Sequence, residues 1–234
     1  MKASSALASL WPAAGVVARS GNVELRWMDD ELIVELAHLA TRGVHDANRM
    51  PFMRPWTRGT PEQVMRSVLT HQWATRLAVG PGAFRLNCAV LVDGIVVGSQ
   101  GAGAKDWQVL RIASTGSWLG REFQGQGIGT RMRMLILHLL FEGLGAAEAT
   151  TGAFADNPAS NAVSRKVGYY SDGTEEVDRE GAPALHNRYR MPRYRWLEVR
   201  AGHAVHLGAP IVLEGASALR EELDQVVGRR DAAR

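Results

Sequence analysis

Short apolar runs with strand-like alternation recur along the chain, broken by a few stretches with helical spacing. Val16 to Arg19 and Val23 to Trp27 read as two strands parted by Ser20-Gly21-Asn22. Asp29 or Asp30 then caps a helix with Leu32, Ile33, Leu36, Leu39 and Ala40 on one face and Gly43 at its end. His45 to Gly59, rich in Pro, Arg and aromatics, reads as a structured loop. Thr60-Pro61-Glu62 starts a second helix, whose apolar face is Val64, Met65, Val68 and Leu69. Arg85 to Val92 and Ile95 to Gly101 form a hairpin about Asp93-Gly94, and Ile112 to Leu119 is the next strand. The following helix is apolar nearly all round from Met134 to Phe141, with Arg131, Arg133 and Glu142 as its solvated positions. Ala147 to Phe154 reads as a strand, Asn157 to Val167 as a helix, and Tyr169 onward with His186 to Met191 as two last strands.

Hairpins mixed with crossovers predict an α/β fold of the α+β kind, a mixed, mostly antiparallel sheet flanked by helices. Residues 1–14 read as a loose arm and residues 15–196 as the single domain. Residues 197–234 read as an extension made of a strand, Leu197 to Leu213, and an amphipathic helix, Ala216 to Val227, with Leu219, Leu223, Val226 and Val227 on one face. That extension reads as a flap or a homodimer contact, or simply as a surface helix.

Between the strand ending at Leu119 and the apolar helix lies Gln124-Gly125-Gln126-Gly127-Ile128-Gly129-Thr130. Alternate glycines let the backbone turn tightly and approach a ligand, and a helix starting there points free N–H groups outward. Such a loop suits an anion, most often a phosphate. A Walker loop would need a lysine that is missing here. A dinucleotide fingerprint would need glycine in place of Thr130, although Glu148 stands at a suitable distance for a ribose-binding acid. A glycine-rich turn without a ligand is the plain alternative.

Composition narrows the field. The 234 residues suit one domain with appendages, and 46% apolar content supplies a core. A formal charge of +3 is nearly balanced, so no nucleic-acid partner is expected. No stretch reaches the roughly 18 apolar residues of a membrane span, so no membrane partner is expected either. Cys88, the single cysteine, lies in the apolar run LNCAVLV and reads as a core residue, which points to a reducing, cytoplasmic setting. The opening apolar stretch, interrupted by Pro12, makes a poor signal peptide.

A second stretch runs Asn157-Pro158-Ala159-Ser160-Asn161-Ala162-Val163-Ser164-Arg165-Lys166-Val167-Gly168-Tyr169. At ~100° per residue Asn157, Ser160 and Ser164 share a polar stripe, read as facing away from the core. Alone, the segment is a helix capped by Asn157 with Pro158 in its first turn and Gly168 at its end. The form WLGxxFQGQGIGT, with Gln124, Gly127 and Gly129 meeting (Q/R)xxGx(G/A), closely resembles the pyrophosphate loop of the GNAT acyl-CoA-dependent N-acyltransferases. Its Trp118-Leu119-Gly120 lead-in is similar to the RimJ/RimL branch of ribosomal-protein N-terminal acetyltransferases, and the second stretch resembles that family's N-xx-S motif. The element order over residues 16–196 matches as well.

The resemblance implies acetyl-CoA, or another acyl-CoA such as succinyl-CoA, as co-substrate without a metal, and a primary amine of a protein or small molecule as acceptor. It assigns Trp118, Leu119, Gln124, Gly125, Gln126, Gly127, Ile128, Gly129, Thr130, Asn157, Ser160 and Arg165 to the acyl-CoA site. Asn157 would hold the pantetheine arm and Ser160 would serve the departing thiolate, since Ser164 stands where many relatives have tyrosine. The amine must lose a proton before attack on the thioester. The glutamate that relatives carry in the strand before the loop is Ser114 here. His45 and Asp46 are candidates for the base, each also readable as a loop-structuring residue. Phe52 and Trp56 line an acceptor pocket or anchor their loop, and Arg49 and Arg54 would suit an acidic acceptor or acyl chain. His203 and His206 are spaced too tightly for a helical metal pair. A non-catalytic acyl-CoA-binding regulator and a dinucleotide enzyme using Glu148 are the competing readings.

Overall fold

The computed structural model describes residues 5–225. A short helix α1 (Ser5–Leu10) and the turn Pro12–Gly15 lead into strands β1 (Val17–Ser20) and β2 (Val23–Trp27). Helix α2 (Asp30–Thr41) begins where the Asp29 carboxylate accepts from Leu32 N–H. Helix α3 (Pro61–Arg76) begins with a reciprocal cap, in which Thr60 Oγ1 accepts from Gln63 N–H and Gln63 Oε1 accepts from Thr60 N–H. Strand β3 (Val79–Gly80) precedes the hairpin of β4 (Ala83–Val92) and β5 (Ile95–Ala104). Asp93 and Gly94 take the positive φ values that a two-residue turn requires, 50° and 82°.

Helix α4 (Trp107–Leu110), strand β6 (Ile112–Leu119), helix α5 (Ile128–His138), strand β7 (Glu148–Phe154) and helix α6 (Pro158–Lys166) follow. The chain ends with β8 (Tyr170–Arg179), β9 (Ala182–Pro192), α7 (Arg193–Leu207), β10 (Val212–Glu214) and α8 (Ala216–Asp224). The strands join one sheet in the order β10-β1-β2-β4-β5-β6-β7-β9-β8, with β3 beside β4. All pairs are antiparallel except β6 with β7, which the α5 crossover joins in parallel.

Alternation along β4 shows how the two faces are used. Leu86, Cys88 and Val90 join the larger core, with Met132, Leu135 and Ile136 of α5, while Ala89 and Leu91 join the smaller one, with Ile33, Leu36 and Val64 of α2 and α3. Cys88 is fully buried, and burial pushes its thiol up to about 12, as befits a core residue.

Three expectations change. The segment read as a loose arm is helical at Ser5–Leu10, and Ala13 and Ala14 are buried in the larger core. Residues 193–207 are helical where a strand was expected from Leu197, because Trp196, Val199, His203 and Leu207 fall on one face and pack into the same core. Only Val212–Glu214 is strand, pairing with β1. Helix α8 folds back with Leu219 and Leu223 fully buried, while Val226 and Val227 lie outside the described residues.

Candidate active site

The parallel pair β6–β7 is registered from Ile112↔Glu148 to Thr115↔Thr151 and no further. Both strands continue, β6 to Leu119 and β7 to Phe154, so they part and leave a cleft in mid-sheet. The end of β6 leans instead on β5 at Gly98, where a Cβ would stand 2.2 Å from the Trp118 carbonyl oxygen; only glycine permits that approach.

Arg133 of α5 fills the fork from the larger-core side. Its guanidinium donates to Thr151 Oγ1 at 3.0 Å, Ser117 Oγ at 3.1 Å and Gln100 Oε1 at 3.4 Å, thereby touching β7, β6 and β5. The residue is 3% exposed, which corrects its reading as solvated: a helix buried all round has no wet face for it. None of these three partners is a carboxylate, so the charge is held by neutral oxygens alone.

Above the cleft the glycine loop turns through Gly125 (φ 75°) and Gly127 (φ 78°) into α5. Among the described residues nothing accepts from the N–H groups of Gly125, Gln126, Gly127, Ile128 or Gly129, and they stand at the positive end of the α5 dipole. Gln124 is turned inward, its Nε2 donating to Val44 O at 2.7 Å and Leu119 O at 2.9 Å. Gln126 Nε2 donates to Glu122 O. Ile128 and Thr130 are buried, and Thr130 N–H closes on Gly127 O, which braces the loop. A Cβ on Gly129 would stand 3.6 Å from Val163 Cγ2, so α6 lies directly beside the loop.

On α6, Asn157 Oδ1 caps the helix by accepting from Ser160 N–H at 3.2 Å, leaving Nδ2 with no partner among the described residues. Ser160 is half-buried and its hydroxyl likewise makes no bond there, whereas Ser164 is buried and donates to Ser160 O. The polar stripe therefore turns inward at Ser164, with Asn157 and Ser160 half-buried; Ala159 and Ala162 are exposed, while Val163 and Val167 pack on the core, so the helix is rotated from the expected orientation without being inverted, and the neighbouring Asn161 is buried as well. Asn161 makes this possible by donating to Phe154 O and Asn157 O and accepting from Tyr189 Oη and Asn187 Nδ2. Arg165 reaches Tyr189 Oη at 3.5 Å, away from the loop.

The opposite face of the cleft is an open trough. Ser114, Gly116 and Gly152 are exposed in mid-sheet there, with Ser114 Oγ bonded to Gly103 O. One wall is an aromatic run, His45–Phe52–Trp56–Trp118, with successive centroids 5.7, 5.1 and 5.3 Å apart. His45 has both ring nitrogens engaged, with Asp46 O at 2.8 Å and Thr57 Oγ1 at 2.7 Å, and Asp46 pairs with Arg121 at 2.6 Å. Both residues thus structure the loop, and neither presents a free base. Arg58 spans to Glu180 at the β8–β9 turn, with oxygens at 3.0 and 3.1 Å, so loop and hairpin are clasped over the trough.

The other wall holds a residue that the sequence reading passed over as a strand position. His186 of β9 lies over Gly152: a Cβ on that glycine would be 2.3 Å from His186 Cε1 and 3.0 Å from Nε2. Its Nδ1 faces Glu175 Oε1 at 3.5 Å. Glu148, by contrast, starts β7 at the end of the strand away from the loop and pairs with Arg190, which with the mostly antiparallel sheet removes the dinucleotide reading.

A helix-start anion loop thus stands beside a split parallel pair, with a trough behind it that has aromatic rings on one wall and His186 on the other. Residues 22–170 match the model of the acetyltransferase (GNAT) domain, and the chain belongs to that family. The fold is shared with Mycobacterium smegmatis RimJ in complex with CoA-disulfide (TM-score 0.66, 19% identity, covering 85% of this chain and 96% of that one). It is shared also with RimL, ribosomal L7/L12 alpha-N-protein acetyltransferase, in complex with coenzyme A (TM-score 0.62, 19% identity, 76% and 97%). A third is the Salmonella typhimurium acetyltransferase that modifies the N-terminal serine of ribosomal protein L7/L12 (TM-score 0.60, 18% identity, 74% and 96%). The chain is thus an acetyltransferase of the GNAT family.

Proposed function

We propose that the protein transfers the acetyl group of acetyl-CoA to a primary amine by direct attack, with the α-amine of a peptide or protein N-terminus as the preferred acceptor. The observation that carries this reading is the parting of β6 and β7 after Thr115↔Thr151, below five loop N–H groups that have no acceptor among the described residues. Those N–H groups suit the pyrophosphate of CoA, and Asn157 Nδ2 suits a pantetheine carbonyl. The free edge of β6 near Trp118 suits the thioester oxygen, whose negative charge grows as the tetrahedral intermediate forms. Ser160 Oγ, half-buried on α6 and without a hydrogen-bond partner among the described residues, suits the departing sulfur. The Arg58–Glu180 clasp favours a slender chain end over a bulky acceptor, and the related proteins that modify N-terminal serine point the same way.

The test is calorimetric titration with CoA, acetyl-CoA, succinyl-CoA and NAD, followed by thiol-release assays over N-terminal peptides, lysine peptides and polyamines. Tight binding of acetyl-CoA with NAD silent, and turnover on free N-termini, is the expected result. Preference for succinyl-CoA would move the donor to a dicarboxylic acyl group. Binding without turnover on any amine would favour the regulator reading, to which the serine at position 114 and the buried Ser164 lend weight.

A further inference from the structure

We infer that His186 is the general base of this site, oriented by Glu175. The inference rests on the acyltransferase reading above and adds to it the residue that takes the amine proton.

Geometry carries it. Gly152 is the first β7 residue beyond the last β6–β7 rung, so whatever lies over it lies at the mouth of the cleft. The His186 imidazole lies there, on the trough side, because β9 pairs with β7 through Phe154↔His186 and Gly152↔Arg188, and side chains two apart share a face. Glycine at 152 is what admits the ring: any side chain would occupy the place of Cε1. Glu175, directly opposite on β8, brings Oε1 to 3.5 Å from Nδ1, a buried nitrogen that makes no hydrogen bond among the described residues. A carboxylate there favours the tautomer with its proton on Nδ1, which leaves the Nε2 lone pair facing the cleft. Of the other histidines on this side of the sheet, His45 has both ring nitrogens engaged, and His71 of α3 turns Nε2 to Asn87 Nδ2 at 3.2 Å, over β4.

His186 Nε2 removes one proton from the acceptor ammonium, and the freed nitrogen lone pair forms the C–N bond to the thioester carbonyl carbon. The C–S bond then breaks with its electron pair on sulfur, the second proton passes from nitrogen to the thiolate, and His186 returns its proton to solvent. The charged groups around the ring are Glu175 and Arg188, which lie 3.8 Å apart, then Arg179 over the Phe154 ring with its partner Asp156. Arg49 of the α2–α3 loop acts on Asp156 in turn.

The experiment compares parent, His186→Gln and Glu175→Gln. Acetyl-CoA affinity is measured by calorimetry, and thiol release is followed from about pH 5.5 to 9 with a peptide bearing a free N-terminal serine. Parent kcat/KM should rise with pH along a one-proton limb. His186→Gln should bind acetyl-CoA as the parent does, lose that limb, and turn over about 100-fold more slowly at neutral pH, within the usual range for a removed base. The deficit should shrink as pH approaches the ~8 of a free α-amine, where solution deprotonates the acceptor. Glu175→Gln should bind acetyl-CoA as the parent does and slow turnover less than His186→Gln, because the ring keeps its Nε2 and loses only the carboxylate beside Nδ1. An unchanged limb in His186→Gln overturns the assignment. Should that variant fail to fold, long-range proton–nitrogen NMR of the parent with acetyl-CoA decides: a proton on Nδ1 with bare Nε2 is expected, and the opposite tautomer overturns it. A parent that binds acetyl-CoA but acylates no amine, hydroxylamine included, loses the acyltransferase reading and this base with it; a parent that binds no CoA species loses the site altogether.

Discussion

Acid should weaken this fold through one histidine, and the size of the effect can be worked out. His138 of α5 is 8% exposed, edge-on to Trp196 at 4.6 Å and with the His203 ring 6.0 Å away. Burial first, and the neighbouring His203 second, hold it down at about 4, against an opposing pull from Glu142. The unfolded chain gives the same ring its ordinary ~6.5. Between those values the ring is neutral in the fold and protonated in the unfolded chain. The unfolded state therefore binds more protons, and stability falls as pH falls. Proton linkage from pH 7.5 down to pH 5 amounts to about 2 kcal/mol from this group alone, against the roughly 5–15 kcal/mol that holds a domain together. His203 is lowered too, with burial as the main cause, and adds to the loss in the same direction. His138 Nε2 is buried without a hydrogen-bond partner, so His138→Leu forfeits no bond there. Urea unfolding at about pH 7.5, 6 and 5 should show the parent losing stability and the variant losing about 2 kcal/mol less between the extremes. Equal losses in the two proteins would refute the reasoning, because every other titrating group is common to both.

The remaining predictions concern the site. Gly127→Val places a β-branched residue at φ 78°, a backbone cost of about 1–2 kcal/mol or more with nothing nearby for its Cβ to clash with; the loop should shift and calorimetric acetyl-CoA binding should weaken at least about tenfold while Tm falls modestly. Ser160→Ala should bind acetyl-CoA like the parent and slow kcat, up to about 100-fold if its hydroxyl serves the thiolate; turnover equal to the parent's removes that role. Arg133→Met strips donors from Gln100, Ser117 and Thr151 and should cost about 1–3 kcal/mol in urea unfolding, with Arg133→Lys recovering only part because an ammonium lacks the fork that reaches three strands.

Much of the frame was legible because it is written in local chemistry. Asp29, Thr60 with Pro61, and Asp93-Gly94 each satisfy or bend the backbone within four residues, so spacing alone finds them. The glycine loop was equally plain, since its φ values at Gly125 and Gly127 are of the kind that only glycine takes freely. Helix α7 was missed because Gly202 and two histidines interrupt a stripe that only the packing of Trp196 and His203 makes visible. For Arg133 the signal was present and misweighed: neighbours Met132, Met134, Leu135, Ile136 and Leu137 are all buried, and a helix enclosed on every side must enclose its arginine as well.

The catalytic side of the site resisted for a different reason. His45 and Asp46 drew attention as polar residues in a loop, yet a loop of that length holds its shape with such residues, and their ring nitrogens and carboxylate are spent on Asp46 O, Thr57 and Arg121. His186 carries no local mark at all. Its position follows from the register of β9 on β7, across more than thirty residues of intervening chain, and from the absence of a side chain at Gly152. Periodicity fixes which face a strand residue takes once the register is known, but it cannot supply the register. A base that depends on a cross-strand glycine is therefore hidden until the sheet is assembled, whereas an anion loop that depends on consecutive glycines is visible in the sequence itself.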